Sequence, residues 1–153
     1  MSYIAETATV ADSAQVSDEA RVYDLAQVYG EAQVYGTARV GGRAQVYGTA
    51  LVGGEAQVGG RAQVDGRGRV KGGDLLHGED IYPWTLFREA PEDNSPEAEW
   101  FWVLRFACER MPLDEWTQET VDALCVKHRD LEIQPHLERV VRTARAFVGV
   151  SSE

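Results

Sequence analysis

Valine recurs every six residues over the first seventy positions of this chain, and this period constrains the fold more than any other feature. The series runs without a slip through Val10, Val16, Val22, Val28, Val34, Val40, Val46, Val52, Val58, Val64 and Val70. Alanine stands two places before each valine from Ala8 to Ala62, and Gly68 precedes the last valine. Two places after each valine comes an aspartate in the first three repeats and then a glycine, from Gly30 through Gly72. A fixed short period of this kind is typical of a solenoid built from stacked repeats.

Each six-residue unit fits a short strand followed by a sharp corner. Residues two apart on a strand point to the same side, so each alanine and valine pair faces a common interior. The glycine or aspartate that follows suits a corner with a positive φ angle. Six residues are too few for a hairpin strand and its return, and the period does not match an α-helix. The pattern therefore predicts three strands in each eighteen-residue coil and a triangular, parallel β-solenoid over residues 1–73.

The repeat resembles the hexapeptide-repeat, left-handed parallel β-helix family. Valine followed four residues later by alanine matches the inward aliphatic and small positions of that family over residues 8–73. The resemblance implies left-handed coils, an exception to the usual right-handed crossover, and a trimeric assembly. Coils this regular are also similar to those of bacteriophage and prophage proteins. That similarity implies a non-enzymatic accessory protein that binds and blocks a host factor or sequesters a small ligand.

Residues eighteen apart should stack on neighbouring coils, which lets the surface of the solenoid be predicted. Tyr29 then stacks on Tyr47, and Arg43 and Arg61 share one corner. Stacked tyrosines stabilise neighbouring coils through ring contacts, whereas stacked like charges repel. The two arginines either splay into water or grip an acidic protein partner or a small anionic ligand. We take these four residues as candidate binding residues.

Three outward glycines suggest how the chain could assemble. Gly41, Gly53 and Gly59 should leave flat patches on two faces of the solenoid, which would let another subunit approach closely. Together with the family resemblance, this predicts a homo-oligomer, and a trimer in particular.

The net charge of −10 lies almost entirely in the second half of the chain. Residues 1–73 hold seven basic and eight acidic residues, whereas residues 74–153 hold eight basic and seventeen acidic residues, which leaves −9 there. An acidic half disfavours contact with nucleic acid or an anionic membrane. No apolar run approaches the roughly eighteen residues of a membrane helix, and the N-terminus lacks the features of a signal peptide. We therefore expect a cytoplasmic protein without a nucleic-acid or membrane partner.

Residues 74–94 are predicted to form a linker rich in turn formers, and its acidic loop adds Glu92 and Asp93 to the candidate binding residues. Ser95 and Pro96 predict the start of a helix, as N-cap and first helical residue. Apolar residues follow at helical spacing: Trp100, Val103, Leu104, Ala107, Cys108 and Met111. Trp102 lies off this stripe, so it is a candidate interface residue.

Two further amphipathic helices are predicted after Pro112. The first carries Leu113, Trp116, Thr120, Val121, Leu124 and Cys125. The second begins near Pro135 and carries Leu137, Val140, Val141, Ala144, Phe147 and Val148. We therefore predict a three-helix region over residues 95–150 and an α+β chain. The helices could cap the coil, swap onto a neighbouring subunit or form a separate domain.

The first enzymatic activity to consider is that of an acyltransferase, because the family resemblance implies it. Enzymes of that kind use a histidine in the coiled domain, beside an extruded loop, as a general base. This repeat contains neither a histidine nor a loop, and only His77 lies close to its end. We therefore predict a protein without catalytic residues. An acyltransferase acting at a subunit interface and a purely structural trimerisation module remain the alternatives.

A zinc site is the other chemistry to weigh. Cys125 and His128 are three residues apart on one predicted helix, with Cys108 and His136 as further ligands. Sites of this kind usually show a tighter pairing such as Cys-x-x-Cys. We therefore expect reduced cysteines, no metal and no cofactor.

Overall fold

The computed structural model describes residues 1–71, 75–79, 82–90, 101–107, 109–129 and 131–149. Its first part is a parallel β-solenoid of about four turns, which confirms the predicted architecture. Twelve short strands build it: β1 Tyr3–Ile4, β2 Thr9–Val10, β3 Gln15–Val16, β4 Arg21–Val22, β5 Gln27–Val28, β6 Gln33–Val34, β7 Arg39–Val40, β8 Gln45–Val46, β9 Leu51–Gly53, β10 Gln57–Val58, β11 Gln63–Val64 and β12 Arg69–Lys71.

Consecutive strands belong to different sheets, so the coil has three faces. The sheets run β1-β4-β7-β10, β2-β5-β8-β11 and β3-β6-β9-β12. Strand partners are eighteen residues apart, as in the pairing of Val28 with Val46. From Ala20 to Val70, each inward alanine and valine is at most 1% exposed. The regular sequence therefore produces one continuous apolar column, in which every coil covers the one before it.

The corners follow the predicted chemistry. Asp18 and Asp24 adopt φ angles of 57° and 56°, and their carboxylates accept hydrogen bonds from the backbone N–H groups of Gly36 and Gly42 on the next coil. Gly36 has a φ of 65°, and a Cβ added to it would lie 2.9 Å from the nitrogen of Gly54. A glycine suits this corner because it adopts the positive φ without strain and avoids the close contact that a Cβ would make.

The expected flat patches at Gly41 and Gly53 are occupied by the chain itself. A Cβ on Gly41 would lie 2.3 Å from the ring of Tyr23, and a Cβ on Gly53 would lie 2.1 Å from the ring of Tyr35. Each tyrosine therefore folds over the glycine of the next coil, and the prediction of bare glycine patches is wrong at both positions. Nothing lies within 4 Å of a Cβ on Gly59.

After the solenoid comes an antiparallel four-stranded meander, where we had predicted a linker and a first helix. The strands are β13 Leu75–Glu79, β14 Pro83–Glu89, β15 Phe101–Phe106 and β16 Glu109–Pro112. The helix predicted through Met111 is wrong because Phe101–Phe106 buries both of its faces. A strand covered on both sides is apolar at successive positions, so its sequence also matches a helical pattern.

The meander is a layer with two apolar faces. Phe87 and Val103 point into the solenoid and complete its core, whereas Leu86 and Leu104 point the other way into a second core. Successive residues of a strand alternate in this manner. The alanine series stops at Gly68, where an added Cβ would lie 2.8 Å from Cγ1 of Val64, 3.0 Å from the oxygen of Asp65 and 3.2 Å from the ring of Phe87. The meander therefore covers the C-terminal end of the solenoid.

Two helices pack on the outer face of the meander, where the second and third predicted helices were expected. They are α1 Gln118–Lys127 and α2 Gln134–Val148, preceded by the 3₁₀ helices Leu113–Glu115 and Leu131–Ile133. Thr117 caps α1 by accepting a hydrogen bond from the N–H of Thr120 at 3.2 Å. Pro135 lies in the first turn of α2, and Gly149 ends it with a φ of 80°.

Candidate ligand-binding cavity

A cavity of about 280 Å³ lies between the meander and the two helices, beside the second core. Six of its lining residues are apolar and three carry polar atoms: Phe106, Ala107, Trp116, Leu124, Ile133 and Leu137, with Tyr82, Glu109 and His128. The cavity therefore has a large apolar wall and a short polar one, which is the usual composition of a site for a small molecule.

One side of the cavity is formed where β14 begins and β15 ends. Ala107 has a φ of 51°, which turns the chain out of β15, and its N–H donates to the oxygen of Pro83 at 3.2 Å. The ring of Tyr82 meets the ring of Phe106 edge-on, with 6.0 Å between their centroids. These contacts hold two aromatic side chains at the rim.

The opposite side comes from the helical region. Trp116 is 1% exposed, and its indole Nε1 donates to the oxygen of Met111 at 3.3 Å. Leu124 projects from α1, Ile133 ends the 3₁₀ helix before α2, and Leu137 lies in the first part of α2. Because segments distant in sequence supply these side chains, the cavity depends on how the helices pack on the meander.

The polar wall centres on Glu109 of β16. Its Oε1 accepts a hydrogen bond from Lys127 Nζ at 2.8 Å and lies 2.7 Å from His128 Nε2. Hydrogen bonding by Lys127, and then by His128, lowers the pKa of Glu109, so the carboxylate is ionised at neutral pH. Lys127 ends α1 and His128 follows it, and cations are favoured at a helix C-terminus.

The ionised carboxylate fixes the tautomer of a neutral His128. A carboxylate can only accept, so His128 Nε2 must donate the proton in their hydrogen bond. The other ring nitrogen, Nδ1, then carries a lone pair and acts as an acceptor. This arrangement determines which groups a bound molecule can present to the polar wall.

A second polar cluster joins the meander to the last coil of the solenoid. Arg105 Nη1 lies 2.6 Å from Asp65 Oδ2, and Arg110 Nε lies 2.7 Å from Asp65 Oδ1. Arg110 Nη2 also pairs with Glu89. Both carboxylates are buried, and charge-assisted bonds of this kind are strong and directional. We interpret the cluster as a clamp between the two parts of the molecule, since its acids are already neutralised.

The tyrosines predicted as binding residues lead into this clamp. The rings of Tyr29 and Tyr47 stack with centroids 4.9 Å apart and an interplanar angle of 1°, and Tyr47 Oη donates to Asp65 Oδ2 at 3.2 Å. Burial raises the pKa of Tyr47 to about 12, and the negative charge of Asp65 contributes to the rise. Burial also raises the pKa of Tyr29. The stacked side chains on successive coils therefore run from Tyr29 through Tyr47 to Asp65 and its ion pairs.

The other predicted binding residues lie apart from the cavity. Arg43 and Arg61 are exposed at one corner on successive coils, and within the described part of the chain neither forms an ion pair. Trp102 packs edge-on against Phe147 of α2, with 5.9 Å between centroids. Glu92 and Asp93 lie outside the described residues.

The residues weighed for acyl transfer and for zinc are dispersed. His77 lies on β13 beside Gly60, where its ring takes the space that a Cβ would need. Cys125 is buried in the second core, and Cys108 lies outside the described residues. Over the residues that the structure describes, no group of three potential ligands could hold a metal ion.

Most of the cavity and all of the clamp were not predicted from the sequence. Asp65 was detectable, because it interrupts the ladder of Tyr29 and Tyr47 at the next coil. Gly68 was a second signal, as the one break in the alanine series. For the cavity, His128 was considered only as a zinc ligand, and no spacing rule pairs it with Glu109, nineteen residues earlier on another element.

Comparisons with known proteins return no match to a family model, to a curated protein or to a solved structure. Within the described ranges, no helix is both long enough and apolar enough to cross a lipid bilayer.

Proposed function

We propose that this protein is a non-enzymatic binding protein that sequesters a small, mostly apolar molecule in the cavity between the meander and the helices. The cavity itself carries the proposal, because it combines apolar walls with one short charged wall. Apolar surface supplies most of the binding free energy in such sites, and a few polar groups orient the ligand.

The size of the cavity suggests the size of the ligand. A dry cavity of about 150 Å³ accepts one benzene ring. A volume of about 280 Å³ is therefore sufficient for two fused rings or an aliphatic group of similar bulk. The rim is accessible, since Tyr82 and His128 are both exposed.

The lining supports binding over catalysis. None of the nine described lining residues is a serine, cysteine or threonine that could act as a nucleophile. Glu109 is held by two partners on one oxygen, which favours a fixed orienting role for this carboxylate.

The regular repeat supports further proposals about the solenoid. We propose that it belongs to the hexapeptide-repeat type, winds left-handed and assembles as a homotrimer in the cytoplasm. Its likeness to phage and prophage coils supports the role of a phage accessory protein. Such a protein would either sequester a small ligand or bind and block a host factor. In this view the solenoid is the scaffold and the C-terminal region binds the ligand.

Filling the cavity tests the proposed function. Isothermal titration calorimetry with naphthalene, supplied as a soluble stock, should show saturable binding to the full chain. Ile133→Trp should remove that binding, because its larger ring occupies the cavity. Val126→Trp is the matched control, since Val126 lies on α1 with 71% of its surface exposed.

The control should bind naphthalene as the unmodified chain does. If Ile133→Trp lowers the melting temperature sharply, Ile133→Ala serves instead, because it enlarges the cavity and should keep the protein able to bind. The absence of saturable binding to the unmodified chain, or equal binding by Ile133→Trp and Val126→Trp, would contradict the proposal.

A further inference from the structure

Around Glu109, the polar wall of the cavity offers two unused hydrogen-bonding atoms, and both are acceptors when His128 is neutral, whereas the hydroxyl of Tyr82 belongs to the exposed rim. Glu109 uses Oε1 for Lys127 and His128, and no described residue donates to its Oε2. No described residue bonds to His128 Nδ1. Because the carboxylate requires a proton on His128 Nε2, a neutral His128 presents a lone pair at Nδ1.

The charges of the wall leave little attraction for an ion. Lys127 is positive and Glu109 is negative, and they are 2.8 Å apart. Among the described lining residues, the titratable groups besides Glu109 are Tyr82 and His128. With a neutral histidine the wall has no net charge, so a charged ligand would lose its hydration without gaining a partner of opposite charge.

From this wall we infer that the cavity selects a neutral, apolar molecule that carries an N–H or O–H donor. This inference rests on the proposed function of the cavity and adds the chemical class of its ligand. The donor group bonds to Glu109 Oε2 or His128 Nδ1, and the apolar body packs against Phe106, Trp116 and Leu137. Isosteric molecules without the donor fit the same space but leave both acceptors without a partner.

Indole and benzofuran form a matched pair of probes for this inference. They have nearly the same shape, but indole donates through its N–H whereas benzofuran has an oxygen in that position. We expect the unmodified chain to bind indole on the order of tenfold more tightly than benzofuran, because a hydrogen bond to a charged acceptor is at stake. Indole-3-carboxylate should bind more weakly than indole, because its charge is not compensated.

Glu109→Gln is the variant that isolates the acceptor. The glutamine keeps the shape of the side chain and can still accept from Lys127, but its second atom becomes an NH₂ donor. The preference for indole over benzofuran should fall several-fold in this variant, with the binding of benzofuran nearly unchanged. The melting temperature of each variant shows whether the cavity remains folded.

The outcomes separate this inference from the proposed function. If neither indole nor benzofuran binds and naphthalene also fails, the proposed function is wrong. If indole and benzofuran bind the unmodified chain equally, the cavity binds apolar molecules but the inferred selectivity is wrong. Tighter binding of the carboxylate than of indole would contradict the inference as well. An unchanged indole preference in a folded Glu109→Gln protein would overturn it. If Glu109→Gln loses its fold, His128→Ala provides the second test, and an unchanged indole preference in a folded His128→Ala protein would overturn it instead.

Discussion

The solenoid and the C-terminal region bury their apolar side chains in different ways. In the solenoid each coil repeats the same contacts, so Val28 and Val46 have equivalent surroundings and are both fully buried. In the C-terminal region, each core residue has its own surroundings. The cavity lies in this second region, where strands and helices of different lengths leave space that a repeating column does not.

This difference indicates where a chain of this kind can acquire a specific site. A substitution inside the solenoid affects a neighbour with the same sequence, so the repeat restricts what each position can become. The meander and helices carry no such restriction. We therefore propose that the regular part provides support and that the irregular part provides the ligand-binding chemistry.

Phe87 joins the two regions, so its removal should have the largest effect. The side chain is fully buried and packs into the end of the solenoid. Phe87→Ala should reduce the free energy of unfolding by about 3–5 kcal/mol, as expected for a large core truncation. Chemical denaturation followed by circular dichroism would measure the change.

Phe147→Ala is the control for that experiment, since Phe147 is 43% exposed on α2. We expect a clearly smaller loss for this variant. Equal losses in the two variants, or a Phe87→Ala protein whose solenoid unfolds unchanged in a separate transition, would show that the meander does not cap the solenoid.

Within the solenoid, glycines at the corners and on the faces should respond differently. Gly36→Ala places a Cβ against the backbone of Gly54 at a positive φ, and should cost about 1–3 kcal/mol. Gly59→Ala meets nothing within 4 Å, and should range from no change to a gain of about 1 kcal/mol. Thermal unfolding of the two variants checks the difference. A large loss for Gly59→Ala would reveal a contact at that face, such as another subunit.

How much of this molecule the sequence predicts depends on the range of the contacts involved. The solenoid follows from the valine and alanine series, because each coil needs only its neighbour. Helices α1 and α2 follow from local amphipathic patterns and from capping residues such as Thr117 and Gly149. The strand Phe101–Phe106 could not be distinguished from a helix, because the solenoid and the helices bury its two faces together.

The cavity lay beyond sequence-based prediction for a related reason. Phe106, Trp116 and Leu137 are ordinary apolar residues, and only the packing of three segments brings them around one space. Glu109 and His128 meet because β16 lies beside the end of α1. Arg43 and Arg61 were predicted as binding residues because they stack on neighbouring coils. A charge pattern alone does not show where a concave surface forms.

A smaller effect on stability is expected at high pH from Tyr47, which lies where the solenoid meets the Asp65 clamp. The pKa of Tyr47 is raised to about 12, so the folded state holds its proton while the unfolded chain loses it above about pH 10. The stability contributed by Tyr47 is complete below pH 10 and is lost as pH rises through about 12. Tyr47→Phe should therefore lose less stability between pH 9 and pH 11 than the unmodified chain.

Tyr3→Phe provides the comparison, since Tyr3 is exposed in the first coil. Urea unfolding at both pH values should show the same pH dependence for Tyr3→Phe as for the unmodified chain. Identical pH dependence in all three proteins would mean that Tyr47 is not buried against the Asp65 clamp.

The division into scaffold and binding region is tested most directly by following indole binding residue by residue. In a ¹H–¹⁵N NMR titration, we expect saturable shifts of the Trp116 indole N–H and of backbone signals around Phe106, Glu109 and Leu137. Signals from the interior coils of the solenoid should stay in place. Shifts centred on Tyr29, Tyr47 and the Arg43–Arg61 corner, with the Trp116 signal unmoved, would contradict the account and place the binding site on the solenoid.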